Sequence, residues 1–600
     1  MSQQDNKDIS QYFYRASAVD FMKIPGSPVA YWVSPGALTA FMDGTPLDNL
    51  APTRKGMVTA QNSVYVRDWH EVSLDKTGLD VCQSRIEAKS SRKKWFSYLK
   101  GGGFRRWYGN KFDLVNWEND GQLLQSTKHP TEDRIWATNF NLDYIFKPNI
   151  NWGAVTSSSF SARASKGGEL FDAGGSACFS KSDNHFHGIL AFLNSRVTGS
   201  LLETLNPTLN FQAGNLASLP LIEIISSEAV CKNAVECIDI SRSDWDAIET
   251  SWDFIGLTLL SSEYQQTRLK LTCHNARTDW REATLSMQRL EEENNRLFIE
   301  AYGLQDELTP DVPLEEITLT CNPHYRYGGN RSEEQLETLL QCDTLKELVS
   351  YAIGCMMGRY SLDKAGLILA SQGETLQDYL RQIPVPRFTP DDDAILPLTD
   401  QEWFADDATN RFREFVRVVW GDEPLQQNLD FIAESLCLHA IKPPSTRSGG
   451  ESALDTIRRY LSTQFFKDHL RTYKKRPIYW LFSSGKHKAF ECLVYLHRYH
   501  EGTLARMRTE YVIPLSAKLN SYAEKLEQDK DASTSAAEIK RISNELATLH
   551  KQQAELAQFD EKLRHFADQR ISLDLDDGVK VNYGKFGDLL AEVKAVTGGE

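Results

Sequence analysis

The sequence predicts an α+β protein: a strand-rich first part, then mainly α-helical parts ending in an antiparallel helical hairpin with a coiled-coil-like seam. Three observations carry that prediction. Residues 1–225 are rich in Gly, Ser, Asn and aromatic side chains and break into short β-prone runs between turn residues. From about 227 onward, apolar residues recur every three to four positions, the spacing of one helix face. Near the end, Val512, Leu519 and Leu526 repeat every seven residues, as do Ile542, Leu549, Leu556 and Leu563, the period of two helices packed along a seam.

In the first part, Val29–Val33, Ser63–Val66 and Leu114–Trp117 read as strands. Ile189, Leu190, Phe192, Leu193, Val197, Leu201, Leu202 and Leu205 then recur at helical spacing until Asn206-Pro207 ends the run, which predicts a buried helix. Further helices are expected over 245–260, 281–305, 332–359 and 410–440. The stretch KPPSTRSGG from Lys442 combines prolines, serines and glycines and reads as a linker. The expected domains are therefore 1–225, 226–441 and 451–600, with 442–450 between the last two and the hairpin over 512–566. Fewer than four heptads per arm favours an internal spacer over an oligomerisation coil.

A chain of 600 residues with 41% hydrophobic content can bury several cores. Met1–Asp8 has no basic segment leading into an apolar one, and no run of 18 apolar residues occurs; the expectation is a cytoplasmic protein without a membrane partner. The ten cysteines are scattered, the closest pair being Cys231 and Cys237, so reduced structural thiols are expected. His185 and His187 alternate on what reads as a strand, and His497 and His500 lie three apart on what reads as a helix. Neither pair has a cysteine or carboxylate grouped with it, so no metal site is expected.

A net charge of −15 argues against a polyanionic partner, but the average conceals an asymmetry. Residues 1–220 hold 23 Lys+Arg against 20 Asp+Glu, which leaves −18 on the remainder. Between Arg85 and Lys111 there are nine basic residues, opposed by Glu87 alone. Within it, KKWFSYLKGGGFRRWYGNK places Lys93, Lys94, Lys100, Arg105, Arg106 and Lys111 around three glycines and the aromatic residues Trp95, Phe96, Tyr98, Trp107 and Tyr108. Such a stretch offers cations to phosphates, backbone N–H groups at the glycines, and rings for stacking. The competing reading is a solvated hairpin whose aromatic residues pack inward.

Two stretches bear on catalysis. Leu170-Phe171-Asp172-Ala173-Gly174-Gly175-Ser176 looks like a Gly-rich turn for S-adenosylmethionine, and Asn322-Pro323-His324-Tyr325 resembles the Asn-Pro-Pro-Tyr loop of amino-methyltransferases. Both lack context. The turn follows the polar segment Ala162–Glu169 rather than a buried strand, and the loop follows the alternating Ile317-Thr318-Leu319-Thr320, with His324 in place of the second proline. No catalytic residue is assigned.

The stretches YWVSPGALTAF (31–41), KGMVTAQNSVYVRDWHEV (55–72), KWFSYLKGGGFRRWYGN (94–110), VNWENDG (115–121), FLNSRV (192–197) and LNPTLNFQAGNLASLPL (205–221) together resemble the PglX family, the adenine-specific DNA methyltransferases of BREX phage-defence systems. AYGLQDELTPDVPLEEITL (301–319), YAIGCMMGRYSLD (351–363) and KRPIYWLFSSGK (475–486) extend the resemblance over almost the whole chain. It implies the region downstream of the family's catalytic domain: a target-recognition domain over 1–225 followed by a helical C-terminal region. It also implies a double-stranded DNA partner, a methyltransferase domain or subunit N-terminal to this material, and other BREX components. S-adenosylmethionine would belong to the full enzyme, with no cofactor bound by this chain.

The leading expectation is a DNA-reading portion in which Lys93, Lys94, Lys100, Arg105, Arg106, Lys111, Arg163 and Lys166 meet DNA. One alternative is a self-sufficient methyltransferase using Asp172–Ser176 and Asn322–Tyr325. The other is a protein-interaction scaffold docking defence components through 512–566.

Overall fold

Trp95, Phe96 and Tyr98 of the basic stretch belong to a strand covered on both faces. Trp95–Leu99 is buried at all five positions and pairs antiparallel with Asp113–Asn116, in the register Phe96↔Val115, and parallel with Leu170–Phe171, in the register Tyr98↔Leu170. The computed structural model describes residues 17–79, 82–156, 159–206, 208–443 and 451–598. Of the expected linker, 444–450 lies outside the described residues, as do Met1–Asp8 and Pro207. The protein is α+β, with helices outweighing strands.

Two units emerge. The first takes in the chain up to Val66, then Gly78–Trp245 and Trp280–Gly328; the second takes in Arg67–Thr77, Asp246–Asp279 and the chain from Gly329 on. This division is interleaved, unlike the sequential boundaries expected at 225 and 441. The long helix Leu269–Tyr302 supplies residues to both units.

In the first unit a second sheet runs in the order Thr53–Arg54, Ala177–Cys178, Asn149–Trp152, Ala162–Ser165. The expected buried helix is two helices, Asp183–Leu193 and Arg196–Leu205. They part at Asn194-Ser195, where the Asn194 amide bonds both the N–H and the C=O of Ala162 and Ser195 Oγ caps the second helix at Thr198 N. Two apolar clusters hold this unit: one joins these helices to Leu47, Trp152 and Phe298, the other gathers Phe96, Trp117, Phe146 and Phe171.

The second unit carries the helices Glu333–Met356, Ala408–Trp420 and Leu425–His439. It also holds a three-stranded antiparallel sheet absent from the sequence reading, with Glu491–Tyr495 between Ile395–Pro397 and Tyr479–Ser483. Helices Ile513–Ala532 and Ala536–Asp568 pack along each other. Leu515, Leu519 and Leu526 are buried on one, and Ile542, Leu549, Leu556 and Leu563 on the other.

Several local readings are corrected. Val29–Val33 is a turn, and Ser63–Tyr65 lies in the helical turn Asn62–Tyr65, with strand starting only at Val66. The helix expected over 245–260 lies instead over Glu228–Asp246. Beyond it, Ser251 Oγ donates to Asp246 and accepts from Asp253 N, local bonds that compete with helix. The 410–440 helix breaks at Gly421, whose φ of +88° ends the helix Ala408–Trp420. His185 and His187 lie in the helix Asp183–Leu193 rather than on a strand. His497 lies in the single 3-10 turn Leu496–Arg498, with His500 outside it.

Candidate nucleic-acid interface

The eight candidate cations separate by burial. Lys93 and Lys94 enter the buried strand from its exposed end and are half-buried, with the Lys94 ammonium 5.6 Å from the centre of the Trp95 ring. Lys100 leaves the same strand, 31% exposed, with Nζ 3.4 Å from Asp113 Oδ1. Lys166 is exposed. These four lie at the surface of the first unit.

The other four are turned inward, away from the surface at which DNA contact is expected. Arg105 is 3% exposed; its Nη2 donates to Asp244 Oδ2 at 2.9 Å, its Nε to Tyr108 O, and its guanidinium lies over the Trp245 ring. Arg106 is bonded by Nη1 to Glu291 at 2.6 Å and by Nη2 to Glu316 at 2.9 Å. Burial disfavours its charge, but the two carboxylates outweigh that and hold its pKa above the ordinary value. Lys111 Nζ sits 2.9 Å from the buried Glu169. Arg163, 1% exposed, donates to Arg105 O and Asn151 Oδ1, and burial followed by the neighbouring Arg105 charge pulls its pKa down to about 10. A guanidinium buried against protein carboxylates and carbonyls is closed off from a phosphate outside the fold.

The rings follow the same logic. Trp95, Phe96, Tyr98, Trp107 and Tyr108 are all 5% exposed or less, so the rings pack inward, but the stretch is not a solvated hairpin, since Arg105, Arg106 and Lys111 are buried with them. Trp107 sits at a φ of +69°, pinned by its N–H to Ala162 O, by its C=O to Ala164 N, and by its indole N–H to Glu291 at 2.7 Å. Gly101 is required by packing rather than by a ligand: its φ is +86°, and a Cβ there would come 2.6 Å from Gly174 O.

Gly174 belongs to the turn that looked like a cofactor loop. Asp172–Gly175 joins strand Leu170–Phe171 to strand Ala177–Cys178, with no helix following. Its carboxylate is spent on Gly174 N, and Gly174 O accepts from Ala154 N. The turn therefore does not fit S-adenosylmethionine, whose cradle needs free backbone donors at a helix start. Asn322 is likewise structural. It caps the helix Pro323–Tyr327 through His324 N, and its amide donates to Leu314 O and Ile317 O at 2.7 and 2.8 Å, while the Tyr325 hydroxyl donates to Phe104 O. Asn322→Ala is expected to lower stability by about 3 kcal/mol, because one cap and two buried carbonyls lose their partner. The urea midpoint reads this; a catalytic role would leave the midpoint alone and lower methylation.

Among the described residues no group of three or more His, Cys, Asp or Glu is arranged to hold a metal, and no helix is long and apolar enough to cross a membrane. Burial pushes the thiols of Cys178, Cys237 and Cys492 upward, as for inert structural cysteines. The sequence reading missed Asp244, Glu291 and Glu316, which bind the two arginines from positions more than 130 residues away.

No protein-family model matches the chain. It is 44% identical over 583 residues to "Adenine-specific methyltransferase BrxX" of Escherichia coli O9:H4 (strain HS), a match covering 96% of this chain and 46% of that protein. The chain is a homologue of adenine-specific methyltransferases. A second relative, "Adenine-specific methyltransferase PglX" of Lacticaseibacillus casei (strain Zhang), is 38% identical over 582 residues, covering 96% of this chain and 45% of the relative. The homology takes in both units, yet the chain spans less than half the length of either relative.

Proposed function

We propose that the chain is the DNA-binding, target-recognition and C-terminal portion of an adenine-N6 DNA methyltransferase in a BREX phage-defence system. The observation that carries this is homology along 96% of the chain to under half of two adenine-specific methyltransferases. Methyl transfer and S-adenosylmethionine belong, in this reading, to a methyltransferase domain or subunit acting with it. Support comes from the two stretches that imitate catalytic motifs, since Asp172–Gly175 and Asn322–Tyr325 have their polar groups committed to the fold. DNA is held by Lys93, Lys94, Lys100 and Lys166 on the first unit, while the helix pair Ile513–Ala532 and Ala536–Asp568 serves as an internal brace.

Replacing Lys93, Lys94, Lys100 and Lys166 together with alanine is expected to weaken duplex binding at least about tenfold. The log–log salt slope should flatten by up to about 3.6, since each phosphate contact contributes about 0.9. Fluorescence anisotropy across a salt series reads both; wild-type affinity and slope would remove these lysines from the interface. Calorimetry with S-adenosylmethionine tests the division of labour, which micromolar binding to this chain overturns.

A further inference from the structure

The second unit carries a basic turn on an acidic background. Residues beyond 220 have a net charge of −18, yet five of the ten residues from Lys467 to Arg476 are Lys or Arg and one is acidic. Lys467, Arg471, Lys474 and Lys475 are exposed, on the helix Phe466–Thr472 and in the turn after it, whereas Asp468 is 8% exposed. Lys467 and Lys475 make no ion pair among the described residues, and Arg471, with its side chain 73% exposed, reaches Asp468 at 3.5 Å. Arg476 turns away, to Val596 O and toward Glu71.

The backbone of this turn is unusual for lysine. Lys474 and Lys475 sit at φ of +48° and +62°, a region that favours glycine first and asparagine or aspartate next. Every other run of adjacent positive-φ residues in the described chain includes Gly, Asn or Asp. Lys475 N donates to Leu470 O and Arg476 N to Tyr473 O, both at 2.7 Å, bonds that glycine would allow equally. The helix dipole does not account for the pair: a cation is favoured within the last turn, which Arg471 already occupies. Lysine where glycine fits the backbone better points to a role outside the fold.

The surroundings select the partner. A protein interface centres on apolar and aromatic side chains, but among the described residues no large hydrophobic side chain between Leu438 and Ile513 is exposed. An anionic bilayer is a sheet that would also face the acidic remainder of the chain, whereas a duplex is a narrow rod that one turn can touch. We propose that Lys467, Arg471, Lys474 and Lys475 contact the sugar-phosphate backbone of duplex DNA. This rests on the DNA-binding reading above and adds a contact on the second unit.

The test uses the full chain and two duplexes of unrelated sequence. Lys474→Gly with Lys475→Gly suits the backbone, so its thermal midpoint is expected to equal or exceed that of wild type. Its duplex affinity falls about fivefold or more, and the log–log salt slope flattens by up to about 1.8. The loss is the same on both duplexes, because backbone contacts carry no sequence information. Lys474→Gln with Lys475→Gln removes the charge without adding glycine and is expected to weaken binding equally. Wild-type affinity and slope in both variants overturn the proposal, as does a loss confined to one sequence or to the glycine pair. It is overturned equally if the variants lose binding to phosphatidylglycerol vesicles and keep duplex binding. The four-lysine variant of the first unit is read alongside. Loss there with none here leaves the DNA-binding reading without this contact, loss here with none there leaves this contact without those lysines, and a wild type that binds no duplex removes both.

Discussion

Replacing Arg106 with alanine is expected to destabilise the protein by about 3–5 kcal/mol, the cost of breaking a buried ion pair from one side. The substitution strands Glu291, which is 3% exposed and faces both Arg106 and the Trp107 indole. It also frees the Glu316 oxygen that Arg106 Nη2 holds. Equilibrium urea unfolding measures the loss, and Arg106→Met combined with Glu291→Gln should recover part of it by removing the buried charge. An unchanged midpoint with weakened DNA binding would falsify the inward role and return Arg106 to the interface. Arg105→Ala is expected to act similarly through Asp244, which also accepts from Thr320 N and Cys321 N.

Acid is expected to act through the second unit. Burial first, and the Arg359 charge second, push His469 and His497 down to about 3, and His70 is lowered in the same way. A histidine in the unfolded chain takes its proton near pH 6.5. As pH falls below that value, the unfolded chain binds protons these rings refuse, and stability is lost until about pH 3. Buried carboxyls of the same unit oppose this. Burial raises Glu249 to about 7 and Asp391 to about 8, and moves Glu71, Glu374, Asp407 and Glu491 upward, so their contribution is present below the ordinary carboxylate range and lost as pH rises through their folded values. The ring contribution is isolated by His497→Gln, which is expected to lower the slope of stability against pH between 4.5 and 6.5 by about 1.4 kcal/mol per pH unit relative to wild type. Urea midpoints of both proteins from pH 4 to 8 test this; parallel profiles would show the ring taking its proton inside the fold.

Local pattern was legible where the cause is local. Ser332 and Gln335 form the capping box that starts the helix Glu333–Met356, close to the reading of 332–359. The seven-residue spacing of Leu519, Leu526, Leu549 and Leu556 marks the buried faces of two packed helices, because burial of one stripe needs only helical periodicity. Strand readings fared worse. Asp113–Asn116 was legible, but the sheet of Ile395–Pro397, Tyr479–Ser483 and Glu491–Tyr495 depends on a pairing between Leu396 and Leu493 that no short window contains.

The sequence by itself determined the α+β class, the homology to adenine-specific methyltransferases, the reason for setting aside Asp172–Ser176 and Asn322–Tyr325, and the concentration of positive charge between Arg85 and Lys111. Only the tertiary structure decided which of those charges face outward. Arg105, Arg106, Lys111 and Arg163 look like Lys93 and Lys100 in one dimension, since a cation is drawn equally to a phosphate and to a carboxylate. The carboxylates that claim the two adjacent arginines, Asp244, Glu291 and Glu316, arrive by folding from 139, 185 and 210 positions away. Once they arrive, desolvation makes each pair part of the core, whereas Lys93, Lys94, Lys100 and Lys166 stay at the surface of the first unit.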